Sequence, residues 1–164
     1  MEIVLDACTI INLINGKILD KIISIPRLLI FVGDNLLEQE IYLNLPQRVI
    51  IESLIQSKKI TLLESDVTLN EFTKLKKVYD LGDGETECIA LCKKHGYAIA
   101  TDDKRARMSA KIELGEAKIV GSLFFLREAV RNEVIECEDA LASFKLMKKH
   151  GGFLPNLDKD YFCN

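Results

Sequence analysis

Five acidic side chains stand where their types and spacing could do chemistry together: Asp6, Glu40, Glu85, Asp102 and Asp103. Each lies just past a short apolar run or on the apolar side of a helical stretch. Oxygen-only ligation of this kind suits Mg²⁺ or Mn²⁺, which keep several waters and accept substrate phosphate as further ligands. Carboxylates brought together repel and raise one another's pKa, and a divalent cation relieves that repulsion. The chemistry that follows is phosphodiester hydrolysis, in which the metal activates water and stabilises charge on the displaced oxygen.

Among the elements that must position these acids, the densest is 81–107, LGDGETECIALCKKHGYAIATDDKRAR. Gly82, Asp83 and Gly84 suit a tight turn, and Glu85 falls in the first turn of the helix that follows. At about 100° per residue, Glu85 shares a face with Cys88, Ile89 and Cys92, while Asp83 and Glu87 fall on the opposite side with Lys94. This phase points Glu85 inward and the other two acids outward. An inward carboxylate needs a partner because isolated buried charge is costly, although an acid at this place also suits the helix macrodipole alone. A strand at 97–100 then ends in Thr101-Asp102-Asp103 and delivers two more acids to the same neighbourhood.

Upstream, Ile3-Val4-Leu5 reads as a short buried strand ending in Asp6, with helical spacing from Ala7 to Leu13. Asp6 would serve as a helix N-cap, yet sites in open parallel sheets form beyond the carboxyl ends of strands. Residues 17–25 form a second amphipathic piece closed by Pro26, and 27–32 a second strand. In the helical segment 34–44 the apolar face of Leu36, Leu37 and Leu43 turns Glu40 inward and Glu38 outward; a core-edge acid paired with a basic neighbour would look the same. A helix at 46–58 carries the stripe Ile50, Ile51, Leu54 and Ile55, followed by a strand at 60–63 and a helix at 67–79 bearing Lys74, Lys76 and Lys77. Beyond the acidic corner come a helix ending at Gly115, a strand at 117–120, a helix at 122–131 begun by Gly121, and a helix at 138–150 stopped by Gly151-Gly152. The aromatic tail has no clear period and is expected to pack over the surface. Strands alternating with helices predict a three-layer α/β/α sandwich on a mainly parallel sheet, in a single domain spanning 1–164.

Composition narrows the function classes. With 48% apolar and 29% charged residues in 164, the chain is that of a compact protein with a sizeable core. No apolar run approaches the ~20 residues of a membrane helix, and MEIVLDA lacks the basic start and cleavage site of a secretory signal, so a cytoplasmic protein is expected. Five cysteines, an odd number, do not suggest a disulfide framework and read as reduced thiols. Cys88, Cys92 and His95 share a helix face, but no second pair of soft ligands would close a zinc site. Cys8 has no histidine close by in sequence to activate it. Neither common Gly-rich phosphate loop is present. A net charge of −3 excludes a broadly basic surface and leaves room only for a local basic groove.

The motifs, in their order, resemble the PIN domain. Ile-Val-Leu-Asp6 with a small-residue helix after it, Leu-Leu-Glu-Gln-Glu40-Ile, Gly84-Glu85-x-x-x-Ile-Ala-Leu and Ala-Thr-Asp102-Asp103-x-x-Ala-Arg107 are most similar to the prokaryotic branch whose third acid is a Gly-Glu pair. The likeness covers nearly the whole chain, including Gly121 at a helix start. It implies a metal-dependent ribonuclease, often the toxin of a toxin–antitoxin pair and often a homodimer. Asp6, Glu40 and Glu85 match the first three acidic positions, and Asp102 or Asp103 the fourth. Lys104, Arg105, Arg107 and Lys111, beside the acidic corner, would then reach phosphates of single-stranded RNA; an ordinary solvated helix face reads the same way. Two departures are visible: Cys8 stands where serine or asparagine is common, and 45–58 exceeds a minimal domain. A haloacid-dehalogenase-like phosphatase would want an aspartate where Cys8 stands, and a receiver-type domain would leave Glu40 and Glu85 unexplained. The non-enzymatic alternative is a catalytically degenerate PIN-like scaffold that binds RNA or a protein.

Overall fold

The computed structural model describes residues 1–38 and 45–163. Its first strand, β1 (Glu2–Leu5), is buried on both faces, with Ile3 and Leu5 turned to one side and Val4 to the other. That is why it reads as a continuous apolar run rather than an alternation. In chain order there follow α1 (Ala7–Asn15), α2 (Leu19–Ile22), β2 (Leu29–Gly33), α3 (Asn35–Glu38), α4 (Leu45–Gln56), β3 (Thr61–Leu63), α5 (Leu69–Tyr79) and α6 (Asp83–His95). The rest comprises β4 (Ala98–Ala100), α7 (Lys104–Leu114), a 3-10 turn at Glu116–Lys118, β5 (Ile119–Val120), α8 (Ser122–Arg131), α9 (Cys137–Lys149) and α10 (Asp160–Cys163).

The five strands form one sheet in the order β3-β2-β1-β4-β5, and every pairing is parallel. Strand alternation sorts the helices into two layers. Ile3, Leu5, Ile30, Val32, Ala98 and Ala100 face a core completed by α1, α2, α4, α8 and α9, whereas Val4 and Ile99 face one completed by α5, α6 and α7. The chain has the three-layer α/β/α architecture that its alternating elements predict.

Several details differ from that expectation. Strand β2 starts at Leu29 and not at 27, because Arg27 adopts the left-handed conformation (φ 63°) in the turn after Pro26. On α4 the buried positions are Gln47, Ile51 and Leu54, with Ile50 40% exposed; Gln47 enters the interior because its amide donates to Asn15 Oδ1 at 3.3 Å. The tail returns as α10, placing Phe162 in the core with its ring 5.6 Å from that of Phe144. Its last described residue, Cys163, is disulfide-bonded to Cys137 across a Cα separation of 5.2 Å. The reading of all five cysteines as thiols is therefore corrected: only Cys8, Cys88 and Cys92 are free. Of the helix expected over 34–44, the described part is α3, and Glu40 lies outside the described residues. No helix among the described residues is long and apolar enough to cross a membrane.

Candidate active site

After β1 the chain leaves toward α1 on one face of the sheet, and after the adjacent β4 it leaves toward α7 on the other. A crevice opens where neighbouring parallel strands send their connections to opposite sides. Asp6 stands at the end of β1, and Thr101, Asp102 and Asp103 at the end of β4. The sequence thus puts acids where the topology makes a crevice.

Asp6 is 4% exposed and caps α1. Its Oδ1 accepts from the Ala7 amide at 2.7 Å, and its Oδ2 accepts from Thr101 Oγ1 at 2.7 Å and from Cys8 Sγ at 3.1 Å. Burial pushes this carboxyl above its usual range; bonds from Cys8, Thr101 and Ala7 pull against that rise, and the charge of Asp103 adds to it. The Cys8 thiol is pushed up to about 12, first by burial and then by the Asp6 charge. It is a protonated donor, which removes it as a thiolate nucleophile.

The adjacent acids after β4 are used differently. Asp102 accepts from Ser122 N at 2.9 Å, from Asn12 Nδ2 at 2.8 Å, from Thr9 Oγ1 at 3.5 Å and from the Ser122 hydroxyl. It joins α1 to the first turn of α8. Gly121 makes room for it: a Cβ there would lie 2.5 Å from Asp102 Oδ1, although the extended backbone at this position would suit any residue. Asp103 caps α7 through the Ala106 amide at 2.8 Å, and its charge acts on both Asp6 and Glu85.

Glu85 is half-buried at the start of α6 and accepts from Gly82 N at 2.8 Å. Burial raises its pKa, the Gly82 bond lowers it, the charges of Asp6 and Asp103 raise it further, and Arg105 opposes them. Glu87 overturns the expected helix phase. It is 1% exposed, accepts from Asn35 Nδ2 at 2.9 Å and Asn35 N at 3.2 Å, and forms a hydrogen-bonded carboxyl pair with Asp34. Burial first, then the Asp34 bond and charge, push its pKa up to about 8, while the same bond lowers that of Asp34. Burial and the Asp34 charge thus favour the protonated form of Glu87. The phase fails at Glu87 because α6 packs against the sheet, α3, α5 and α7 together, so Thr86 through Cys92 are all buried and only the ends of the side opposite Glu85, at Asp83 and Lys94, reach solvent. Glu87 and Asp6 also line one small cavity of about 20 Å³, room for about one water.

The DUF3368 family model, a PIN domain, matches residues 2–157. The chain belongs to the PIN domain family. Neither the curated proteins nor the solved structures contain a significant match to it.

In this PIN domain three of the basic residues beside the acidic corner have partners within the fold. Arg107 Nη1 donates to Thr101 O and Val120 O, each at 2.8 Å, and so ties the ends of β4 and β5 together. Arg105 binds Asp80 O at 2.6 Å and its carboxylate at 3.2 Å, and Lys111 pairs with Glu116 at 2.8 Å. Lys104 is exposed at the start of α7, in the wall of a cleft that also holds Asp103. Sequence reasoning missed Thr9, Asn12, Thr101 and Ser122, four buried polar residues that orient Asp6 or Asp102. Buried polar groups of that kind carry no periodic signal of their own.

A divalent cation fits the chemistry of this crevice. Asp6, Glu85 and Asp103 offer only oxygen, and at Asp6 and Glu85 like charge adds to burial in opposing ionisation, a strain that a cation would relieve. Each retains acceptor capacity, since a carboxylate has about four lone-pair sites and these three have donors on three, one and one of them. Among the described residues, no three His, Cys, Asp or Glu side chains close around a single point.

Proposed function

We propose that this PIN domain is a metal-dependent endoribonuclease that hydrolyses phosphodiester bonds of single-stranded RNA. The observation that carries this reading is the placement of Asp6 and Asp103 at the ends of neighbouring strands with Glu85, at the start of α6, within reach of both their charges. These three would hold Mg²⁺ or Mn²⁺, joined by Glu40 from outside the described residues. Asp102, engaged by four donors, is the positioning acid and Asp103 the fourth ligand. Such an ion, when bound, supplies the charge that activates water and stabilises the displaced oxygen. Thr101 and Cys8 orient Asp6 by donating to one of its oxygens, and Asp102 holds the N-termini of α1 and α8 in register around it. The expected result is cleavage of a quenched-fluorophore single-stranded RNA in millimolar Mn²⁺, lost with a chelator and in Asp6→Asn. Binding of that RNA by the wild type with no cleavage would assign the chain to a scaffold role.

The same proposal extends to the toxin of a toxin–antitoxin pair, acting in the cytoplasm as a homodimer. Family membership is its support. Growth arrest on expression, relieved by Asp6→Asn, is the outcome expected; normal growth with a demonstrably active enzyme would remove the toxin role and leave the chemistry standing.

A further inference from the structure

Phe153 is 99% exposed, the most exposed large hydrophobic side chain among the described residues. Its backbone is nonetheless pinned. Gly152 N donates to Met147 O at 2.9 Å and Leu154 N to Gly152 O at 3.0 Å, while Leu154 and Leu157 pack against the core. A Cβ on Gly152 would come within 2.7 Å of Asn12 Oδ1, so this backbone lies directly on the side chain that holds Asp102. A rigid backbone presenting an uncovered ring beside a proposed nuclease site has the form of a stacking platform, since every base offers a π-face.

Two clefts meet at that ring. One, of about 480 Å³, is lined by Cys8, Asp103, Lys104 and His150; the other, of about 380 Å³, by Phe124, Arg127, Arg131 and Tyr161. Phe153 and Asp102 are common to both. The first cleft begins at the acidic crevice. In the second, the Arg127 guanidinium sits 5.2 Å over the Tyr161 ring, and Arg131 is exposed with Glu128 as its ion-pair partner at 2.7 Å. Asp102, the acid in both walls, is screened by its four donors and lies beside Arg107. Cationic groups therefore stand at both ends of the path, with an aromatic face between them.

We propose that these joined clefts are the track along which single-stranded RNA leaves the acidic site. One base stacks on Phe153, Lys104 meets phosphate on the near side, and Arg127 and Arg131 meet it on the far side; this assignment rests on the ribonuclease reading. The test is fluorescence anisotropy with a 5′-fluorescein single-stranded RNA of mixed sequence, measured in chelator across a salt series. Phe153→Ala is expected to weaken binding by about 5- to 100-fold, the span that stacking of one base supplies, and Phe153→Trp to retain it. Arg127→Ala with Arg131→Ala should flatten the salt dependence by about 0.7 for each phosphate that is no longer neutralised. Because Phe153 is not among the residues proposed to hold the ion, the Mn²⁺-induced rise in melting temperature should persist in Phe153→Ala. A wild type that cleaves RNA while Phe153→Ala binds as tightly as it does would overturn the track and leave the ribonuclease reading intact. A wild type that neither binds nor cleaves RNA would overturn both.

Discussion

Two groups of acids flank the first turns of α6 and handle like charge in opposite ways. Asp34 and Glu87 are hydrogen-bonded to each other and shifted in opposite directions, with the Asn35 amides completing the shell. Asp6, Glu85 and Asp103 have no such arrangement: each accepts from neutral donors, and at Asp6 and Glu85 burial and the neighbouring acids oppose ionisation. The first group has resolved its repulsion internally and is structural. The second has no such internal resolution, and that difference is what the proposed cation answers.

The comparison breaks most readily at Asp6. Asp6→Asn should lower cleavage by more than about a hundredfold, beyond the loss typical of a ligand's outer partners, without lowering the melting temperature of the metal-free protein. Single-turnover cleavage beside a thermal melt measures both, and a variant that still cleaves would move the chemistry elsewhere. Next in size is Asp102→Ala, which strands the Ser122, Asn12 and Thr9 donors and should destabilise by about 2–4 kcal/mol in urea unfolding. Asp103→Ala loses only a helix cap, about 1 kcal/mol, but should abolish the response to metal. If the two variants exchange these phenotypes, Asp102 is the ligand. For the wild type, linkage predicts about 2.7 kcal/mol from Mn²⁺ at roughly a hundredfold excess over Kd, a melting shift of about 5–10 °C that Glu87→Gln should retain and Glu85→Gln should reduce.

The smallest expected effect is a pH dependence. Glu87 has a folded pKa of about 8, above its unfolded value, so between the two the folded state holds a proton that the unfolded chain has released. Stability from this group is full below the unfolded pKa, falls as pH rises through that window, and is flat above about pH 8. Asp6 and Glu85, also raised, slope the same way; Asp34, which is lowered, contributes stability that is lost only in acid. Glu87→Gln should therefore reduce the slope between pH 5 and pH 8, about the interval between an ordinary glutamate and this one, and make the protein more stable than wild type in alkali. Urea midpoints at three pH values would show it, and an unchanged slope would mean that the proton is not on Glu87.

Where one physical signal dominated, the sequence was legible. Ile3-Val4-Leu5 and the run before Thr101 are short apolar stretches covered on both faces, and they announced the central strands and the acids at their ends. Glu87 was misplaced because helical periodicity assumes one dry side and one wet side, and α6 has almost no wet side. The Cys137–Cys163 bond was invisible because it depends on a tail that doubles back onto α8 and α9, which no local spacing encodes. Arg107 looked like a phosphate contact in the string Asp102-Asp103-Lys104-Arg105-Ala106-Arg107, yet two carbonyl oxygens at strand ends claim it. Type and position suggested charge toward solvent; the carbonyls at the ends of β4 and β5 redirected it.

The central position of β1 has a consequence for how the molecule comes into being. Strand β1 pairs with β4, whose residues follow more than ninety positions later, and Asp6 waits as long for the Thr101 hydroxyl that orients it. Such distant pairings make for slow folding, because loop closure must precede the contacts that reward it. A chain emerging from the ribosome therefore carries its first acid through most of translation with no crevice around it. Only when Ser122 has followed and closed on Asp102 are the elements that frame the crevice in place. Interrupted synthesis before that residue yields fragments in which Asp102 lacks both of its Ser122 donors.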